Sequence, residues 1–146
     1  MKHKSQKKQR KFGLIGKNIS YSFSKKYFSE KFINNHFHNC EYENYDIENI
    51  KEITEIIYKT KGLVGLNVTI PYKESILPFL DKISKNAKKI GAVNCISISK
   101  NKKIISILFI SSNLYLDVNI TFFLTIIFTD SITKYKLSLS YVFSYS

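Results

Sequence analysis

A chain of 146 residues can hold one domain of ordinary size, able to bury about two thirds of its unfolded surface, but not two good ones. Its formal charge is +12, and Lys2 to Lys11 contributes six basic residues before any apolar run begins. Two cysteines, Cys40 and Cys95, at no metal-ligand spacing exclude a disulfide scaffold and a cysteine-held metal module, and with no recognisable secretory leader a cytoplasmic protein with reduced thiols is expected.

Residues 1–11 read as a disordered, solvated basic tail. Such a run can also meet nucleic acid or an anionic membrane through counterion release. No aromatic residue interleaves with these charges to stack on bases, so no nucleic-acid partner is expected. His3, His36 and His38 form no cluster with acids or thiols, and no metal is expected.

Phe12 to Ile15, closed by Gly16, is a short apolar run that predicts a first buried strand and a turn. Ser20, Ser22 and Ser24 follow it. From about Phe23 to Phe37 the residues Phe23, Tyr27, Phe28, Phe32, Ile33 and Phe37 recur at helical spacing, with Ser22 or Ser24 as the natural cap. His36 and His38 fall at that helix's negative pole. Tyr42 to Ile47 alternates loosely as a second strand. Ile50, Ile53, Ile56 and Ile57 then mark a second helix with acids early and Lys59 and Lys61 late.

Leu63 to Ile70 is rich in branched residues and stops at Pro71, which has no N–H to donate, so a buried strand is expected to end there. Asn67 and Thr69, two apart on a strand, point to one side, and Lys73 falls in the first turn beyond the proline. Three polar groups therefore converge at a strand's carboxyl end, where open α/β sheets bind ligands. Plain architecture, a strand with a proline stop and a solvated lysine, accounts for the same stretch by itself. Tyr72 to Leu80 and Ser84 to Ile90 are short helical patterns, the second opening on a cap-like serine, and Val93 to Ser99 alternates as another strand. Alternating strands and helices predict an α/β fold whose mainly parallel sheet carries helices on both faces.

Past Lys103 the composition changes. Ile104 to Ser146 has no glycine, proline, alanine or glutamate. Ile120 to Thr129 is the most apolar part, about half the length needed to cross a bilayer, so a membrane span is not expected. High β-propensity with low charge and no proline marks these windows as aggregation-prone strand.

The string G-L-N-V-T-I-P-Y-K around Asn67 and Lys73 resembles the signature of the substrate domain of shikimate dehydrogenase. Phe12 to Ser24, F-G-L-I-G-K-N-I-S-Y-S-F-S, resembles that family's first strand with its serine pair, and Gly91 to Cys95, G-A-V-N-C, a further block of it. The resemblance covers about residues 12–105 and implies a shikimate-binding domain there. Within the family the reaction is reversible reduction of 3-dehydroshikimate to shikimate with NADPH.

Position by position, the resemblance implies that Ser22 and Ser24 hold the substrate carboxylate, a role compatible with helix capping. It also implies that Thr69 hydrogen-bonds the ligand, that Asn94 contacts its ring hydroxyls and that Lys73 is the catalytic proton shuttle. Asn67 is expected to brace the loop from behind; a buried turn amide is the plain alternative for Asn94. A free lysine titrates near about 10.4, so a shuttle needs a lowered pKa and an acid to orient it. The sequence departs from the family at Lys17-Asn18, Tyr21 and Lys25, where x-Pro, histidine and proline are common.

The larger departure comes after the G-A-V-N block, where the family has a G-x-N-T-D stretch and a Rossmann domain for NADP. Here Ser106 to Ile110 reads S-I-L-F-I, so an isoleucine stands at the aspartate's position. Residues 106–146 are expected to be unrelated to the family, as a frameshift would leave them, and a G-x-N-T-D stretch in a shifted genomic frame would verify this. The chain is then expected to bind shikimate or 3-dehydroshikimate without turning it over alone. A degenerate fragment without affinity is one alternative, and a basic nucleic-acid- or membrane-surface protein the other.

Overall fold

A computed structural model describes residues 8–107, all within the first of the two units into which the chain divides, Met1–Phe109. In chain order the elements are β1 (Arg10–Gly16), α1 (Ser24–Asn34), β2 (Cys40–Asp46), α2 (Glu52–Lys59), β3 (Leu63–Val68), α3 (Tyr72–Ser75), a 3₁₀ turn (Leu77–Phe79), α4 (Lys85–Ile90), β4 (Cys95–Ile98) and β5 (Ile104–Ile107). The five strands form one sheet in the order β2-β1-β3-β4-β5.

Period-two alternation divides the side chains between two faces. Phe12 and Leu14 of β1 share a face with Tyr42, their neighbour on β2, and with Asn67 and Cys95 on β3 and β4. Helix α1 covers the β1–β2 part of this face: Phe32 lies 5.7 Å from Phe12, and Phe28 stacks on Tyr42 at 4.5 Å. Ile15, Leu66, Val68, Ile96, Ile98 and Ile104 belong to the other core, together with Ile53 and Ile57 of α2, Ile76 and Ala87. The α/β class and the helices on both faces agree with the sequence reading.

The hand of the pairing departs from it in the second half of the sheet. β1 pairs in parallel with both β2 and β3, but β4 is antiparallel to β3 and β5 to β4. The Val93 N–H donates to the Lys73 carbonyl at 2.7 Å, which brings the chain back to the edge where β3 ended. β4 enters from that edge and must run backwards. A hairpin with Lys102 at φ 60° then returns the chain as β5, which composition had merged with the tail.

Several boundaries move for local reasons. β1 opens at Arg10, inside the supposed tail, because Arg10 and Lys11 pair with Cys40 and Glu41 and the Lys11 ammonium lies 3.4 Å from the Glu41 carboxylate. Pro78 splits the expected Tyr72–Leu80 helix into α3 and the 3₁₀ turn. Ser84 does cap α4, accepting from the Ala87 N–H at 3.2 Å, and Gly91 ends that helix in the left-handed region at φ 73°.

Helix α1 stops at Asn34, short of Phe37 and of both histidines. Its end is a Schellman arrangement: His36 N–H donates to Ile33 O at 3.0 Å, Phe37 N–H to Phe32 O at 2.8 Å, and His36 has φ 59°. A Cβ is unfavourable in that region. His36→Gly is therefore expected to stabilise the protein by about 0.5–1 kcal/mol, read as a higher urea midpoint at unchanged slope. An unchanged or lower midpoint would show that the turn carries no such strain.

Candidate functional site

β1, β2 and β3 all end, and β4 begins, at one edge of the sheet, at Gly16, Asp46, Val68 and Cys95. Ser22, Ser24, Thr69, Lys73 and Asn94 all sit on segments leaving or entering that edge.

The loop after β1 is held by β2. The Asp46 carboxylate accepts from the N–H groups of Asn18 (2.8 Å) and Ile19 (3.0 Å), and Ile47 N–H donates to Gly16 O at 3.0 Å. Ionic acceptors make the stronger hydrogen bonds, so this carboxylate fixes where the serines begin. Ser22 and Ser24 are half-buried; the Ser22 hydroxyl donates to Ser24 Oγ at 3.1 Å and accepts the Ser24 N–H at 3.3 Å. Neither is the N-cap of α1, which is Phe23 without a side-chain bond, so the predicted cap becomes a tight serine–serine turn ahead of the helix.

On β3 the ladder ends at Val68, two residues before the expected Ile70, and Thr69 N–H still donates to Ile15 O at 3.0 Å. The Thr69 methyl packs over Gly16: a Cβ placed on that glycine would lie 2.5 Å from Thr69 Cγ2 and 2.7 Å from Ile19 Cγ2. After Pro71, buried Tyr72 donates its hydroxyl to Ile47 O at 2.7 Å. This anchor leaves Lys73 exposed beside the edge, and no carboxylate pairs with it among the described residues. Ile110, the predicted substitute for the family's aspartate, lies outside those residues.

Asn94 directly precedes β4. Its carbonyl accepts the Val68 N–H at 2.8 Å, while its side-chain Oδ1 is buried without a hydrogen-bond partner among the described residues. A buried acceptor left unpaired costs free energy, so a ligand hydroxyl able to donate there would recover it.

Asn67 is buried on the sheet face beneath these groups. Its Nδ2 donates to the Tyr42 hydroxyl at 3.0 Å, and the Cys95 thiol donates to its Oδ1 at 3.0 Å. It thus braces the sheet against β2 and β4 rather than gripping the loop. Burial pushes both the Tyr42 phenol and the Cys95 thiol far above their ordinary values, so both stay protonated. Ser24 is near enough to the Tyr42 hydroxyl, and the Lys73 ammonium to Cys95, to act on each group in the opposite sense to burial. Tyr42 and Cys95 were missed as site residues. The strand pairing Phe12 with Tyr42 was legible only as loose alternation, and Cys95 read as a small apolar filler.

Among the described residues there is no group of three or more histidine, cysteine, aspartate or glutamate side chains able to hold a metal, and no helix long and apolar enough to cross a membrane. The glycines do not fit a dinucleotide. Gly13, Gly16 and Gly65 lie in strands, Gly62 precedes β3 and Gly91 closes a helix, so none opens a helix toward a pyrophosphate.

Comparison with known proteins agrees with this architecture. The profile of the shikimate dehydrogenase substrate binding domain matches residues 14–96. Shikimate dehydrogenase (NADP(+)) of Clostridium beijerinckii is 41% identical over 92 residues, which is 62% of this chain and 34% of that protein. Among solved structures, shikimate dehydrogenase 1 from Peptoclostridium difficile aligns with TM-score 0.61 and 36% identity, over 68% of this chain and 38% of that one. Shikimate 5-dehydrogenase from Listeria monocytogenes, solved with shikimate and NAD, aligns with TM-score 0.58 and 27% identity over 67% of this chain and 34% of that one. The chain thus spans about a third of the length of the curated relatives it matches.

Proposed function

Because this chain belongs to the shikimate dehydrogenase substrate-binding-domain family, we propose that it binds shikimate or 3-dehydroshikimate along the sheet edge between Ser22 and Asn94. The observation that carries most weight is the buried Oδ1 of Asn94, unpartnered among the described residues, on the segment that enters the edge the serine-bearing loop leaves. A ring hydroxyl donating to that oxygen would satisfy the buried acceptor, and a carboxylate would draw the two serine hydroxyls out of their mutual hydrogen bond. Thr69, whose methyl packs over Gly16, adds a hydroxyl just past the end of β3. Lys73, exposed in the first turn after Pro71, is assigned to proton exchange at the hydroxyl that is oxidised or the carbonyl that is reduced. Asn67 acts from below.

The nicotinamide that accepts or delivers hydride in NADP-dependent relatives has no fitting cradle among the described residues, so its binding belongs to chain outside the matched segment. The full reaction is accordingly proposed for the whole protein, and ligand binding for this domain.

Calorimetric titration tests the reading. Shikimate is expected to give saturable heat with the 146-residue chain, and Asn94→Ala to weaken binding roughly tenfold, the cost of about one buried hydrogen bond. No heat with either shikimate or 3-dehydroshikimate would refute it. Quinate belongs in the same titration, because quinate dehydrogenase from Corynebacterium glutamicum aligns with TM-score 0.60 at 25% identity.

A further inference from the structure

Charge is spread unevenly across the sheet. Residues 40–59, from β2 to the end of α2, hold six acids and two lysines, whereas residues 72–107, from α3 to β5, hold eight lysines and two acids, Glu74 and Asp81. β2 and β5 are the two ends of the strand order, so the imbalance runs from one side of the sheet to the other. On the β2 side, two cations flanking the serine loop are matched: Lys17 lies 2.7 Å from the Glu48 carboxylate and Lys25 2.6 Å from that of Glu43. Lys26, next to Lys25 on α1, stays unmatched among the described residues. On the β5 side, the Asp81 carboxylate is spent on the Ile104 N–H at 2.7 Å, and the Lys102 ammonium on the Ile57 carbonyl at 2.6 Å. Lys73, Lys88 and Lys89 are exposed there and pair with no carboxylate among the described residues. Lys88 and Lys89 form the last turn of α4, which Gly91 closes. Just beyond it the Val93 N–H donates to the Lys73 carbonyl and the Asn94 carbonyl accepts the Val68 N–H, so that turn is tied to the edge where an acid would enter.

A positive field over one flank of an open edge raises the local concentration of an anion and hence its rate of arrival. We propose that Lys88 and Lys89 steer the acid into the site: they speed its arrival and make no contact that prolongs its stay. This role rests on the ligand being an acid, as read above. Cations in a helix's last turn also favour its carbonyl end, a local effect that leaves the ammonium groups in water. Lys100 and Lys103 supply an internal comparison. They are exposed on the hairpin between β4 and β5, and the four residues of β4 put them more than about 10 Å from the edge. At an ionic strength of ~0.1 M that is about one screening length, so their pull on an arriving anion is weak.

The test measures how fast shikimate and its methyl ester associate with and leave the full chain, by NMR line-shape titration, each variant first checked for a cooperative melt. At ~0.1 M ionic strength the double variant Lys88→Gln/Lys89→Gln is expected to slow shikimate association roughly threefold to tenfold and to leave its dissociation rate within about twofold. Association of the neutral ester with this variant is expected to stay within about twofold of the unaltered chain, as is that of shikimate with Lys100→Gln/Lys103→Gln. Unchanged shikimate association with the α4 variant overturns the proposal, and so does equal slowing by the hairpin variant or equal slowing of the ester. Faster dissociation from the α4 variant overturns it too, since the two lysines would then be contacts. Should that variant fail to fold, the unaltered chain decides: shikimate association no more sensitive to salt between ~0.01 and ~1 M than that of the ester also overturns it. If the unaltered chain binds neither ligand, the fault lies with the assigned function instead.

Discussion

Gly16→Ala is expected to weaken shikimate binding by tenfold or more and to destabilise the domain by about 1–3 kcal/mol, the usual range for overpacking. Gly16 ends the strand between β2 and β3, and the added methyl would sit 2.5 Å from Thr69 Cγ2, 2.7 Å from Ile19 Cγ2 and 3.2 Å from Ile70 O. Both methyls belong to β-branched side chains stiff at χ1, and the third neighbour is backbone, so none yields cheaply. Thr69 would be pushed off the edge, and Ile19 would lift the loop that carries the serine pair. Adding Thr69→Ser removes the nearest clash and keeps the hydroxyl. The double variant should regain a measurable part of the lost affinity. Calorimetry on both variants decides, and Gly16→Ala binding shikimate as tightly as the unaltered chain would remove Thr69 from the site.

Leu66→Ala is expected to cost about 3–4 kcal/mol of stability. Leu66 has no exposed surface, lies on β3 between Gly13 of β1 and Ile96 of β4, and its glycine neighbour offers no side chain to fill the space. Against a typical total of about 5–15 kcal/mol that is a large share. With a slope of ~1–2 kcal/mol per molar, the urea midpoint should fall by about 2 M. A drop below about 0.5 M would mean that Leu66 is not in a packed core. Because Leu66 faces away from Asn67, affinity in the folded fraction should change little. Saturating shikimate at about 100 times its dissociation constant should return about 2.7 kcal/mol, which ties the stability measurement to the binding one.

β1, β3 and the two longer helices were legible because each is carried by a repeating apolar pattern: Phe12 to Ile15, Leu63 to Val68, Phe28 with Phe32, Ile53 with Ile57. Strand direction was less so. Periodicity reports which residues are inside and not which way a strand runs; the antiparallel β3–β4 register and the backbone bond from Val93 to Lys73 show that the chain re-enters through the edge it left. The helix end at His36 escaped for a similar reason, since left-handed closure is normally signalled by glycine and here a histidine takes it. At the candidate site, Ser22, Ser24, Thr69, Lys73 and Asn94 were found through their resemblance to a family, and their common edge follows from topology. The supporting pair was invisible. Tyr42 and Cys95 matter through the polar atoms they bury, and a sequence gives no sign of which tyrosine or cysteine buries its polar atom against a partner.

The interleaved strand order has a consequence for synthesis. β1 emerges first yet lies inside the sheet, with β2 on one side and β3 on the other, and Asn94 comes only after all three. A polypeptide still attached to the ribosome can thus bury Phe12, Phe28, Phe32 and Tyr42 early, but the proposed acid site is incomplete until the segment leading into β4 has cleared the exit tunnel. Ligand-assisted maturation is restricted to the finished product, and fragments released before residue 94 should draw nothing from the metabolite pool.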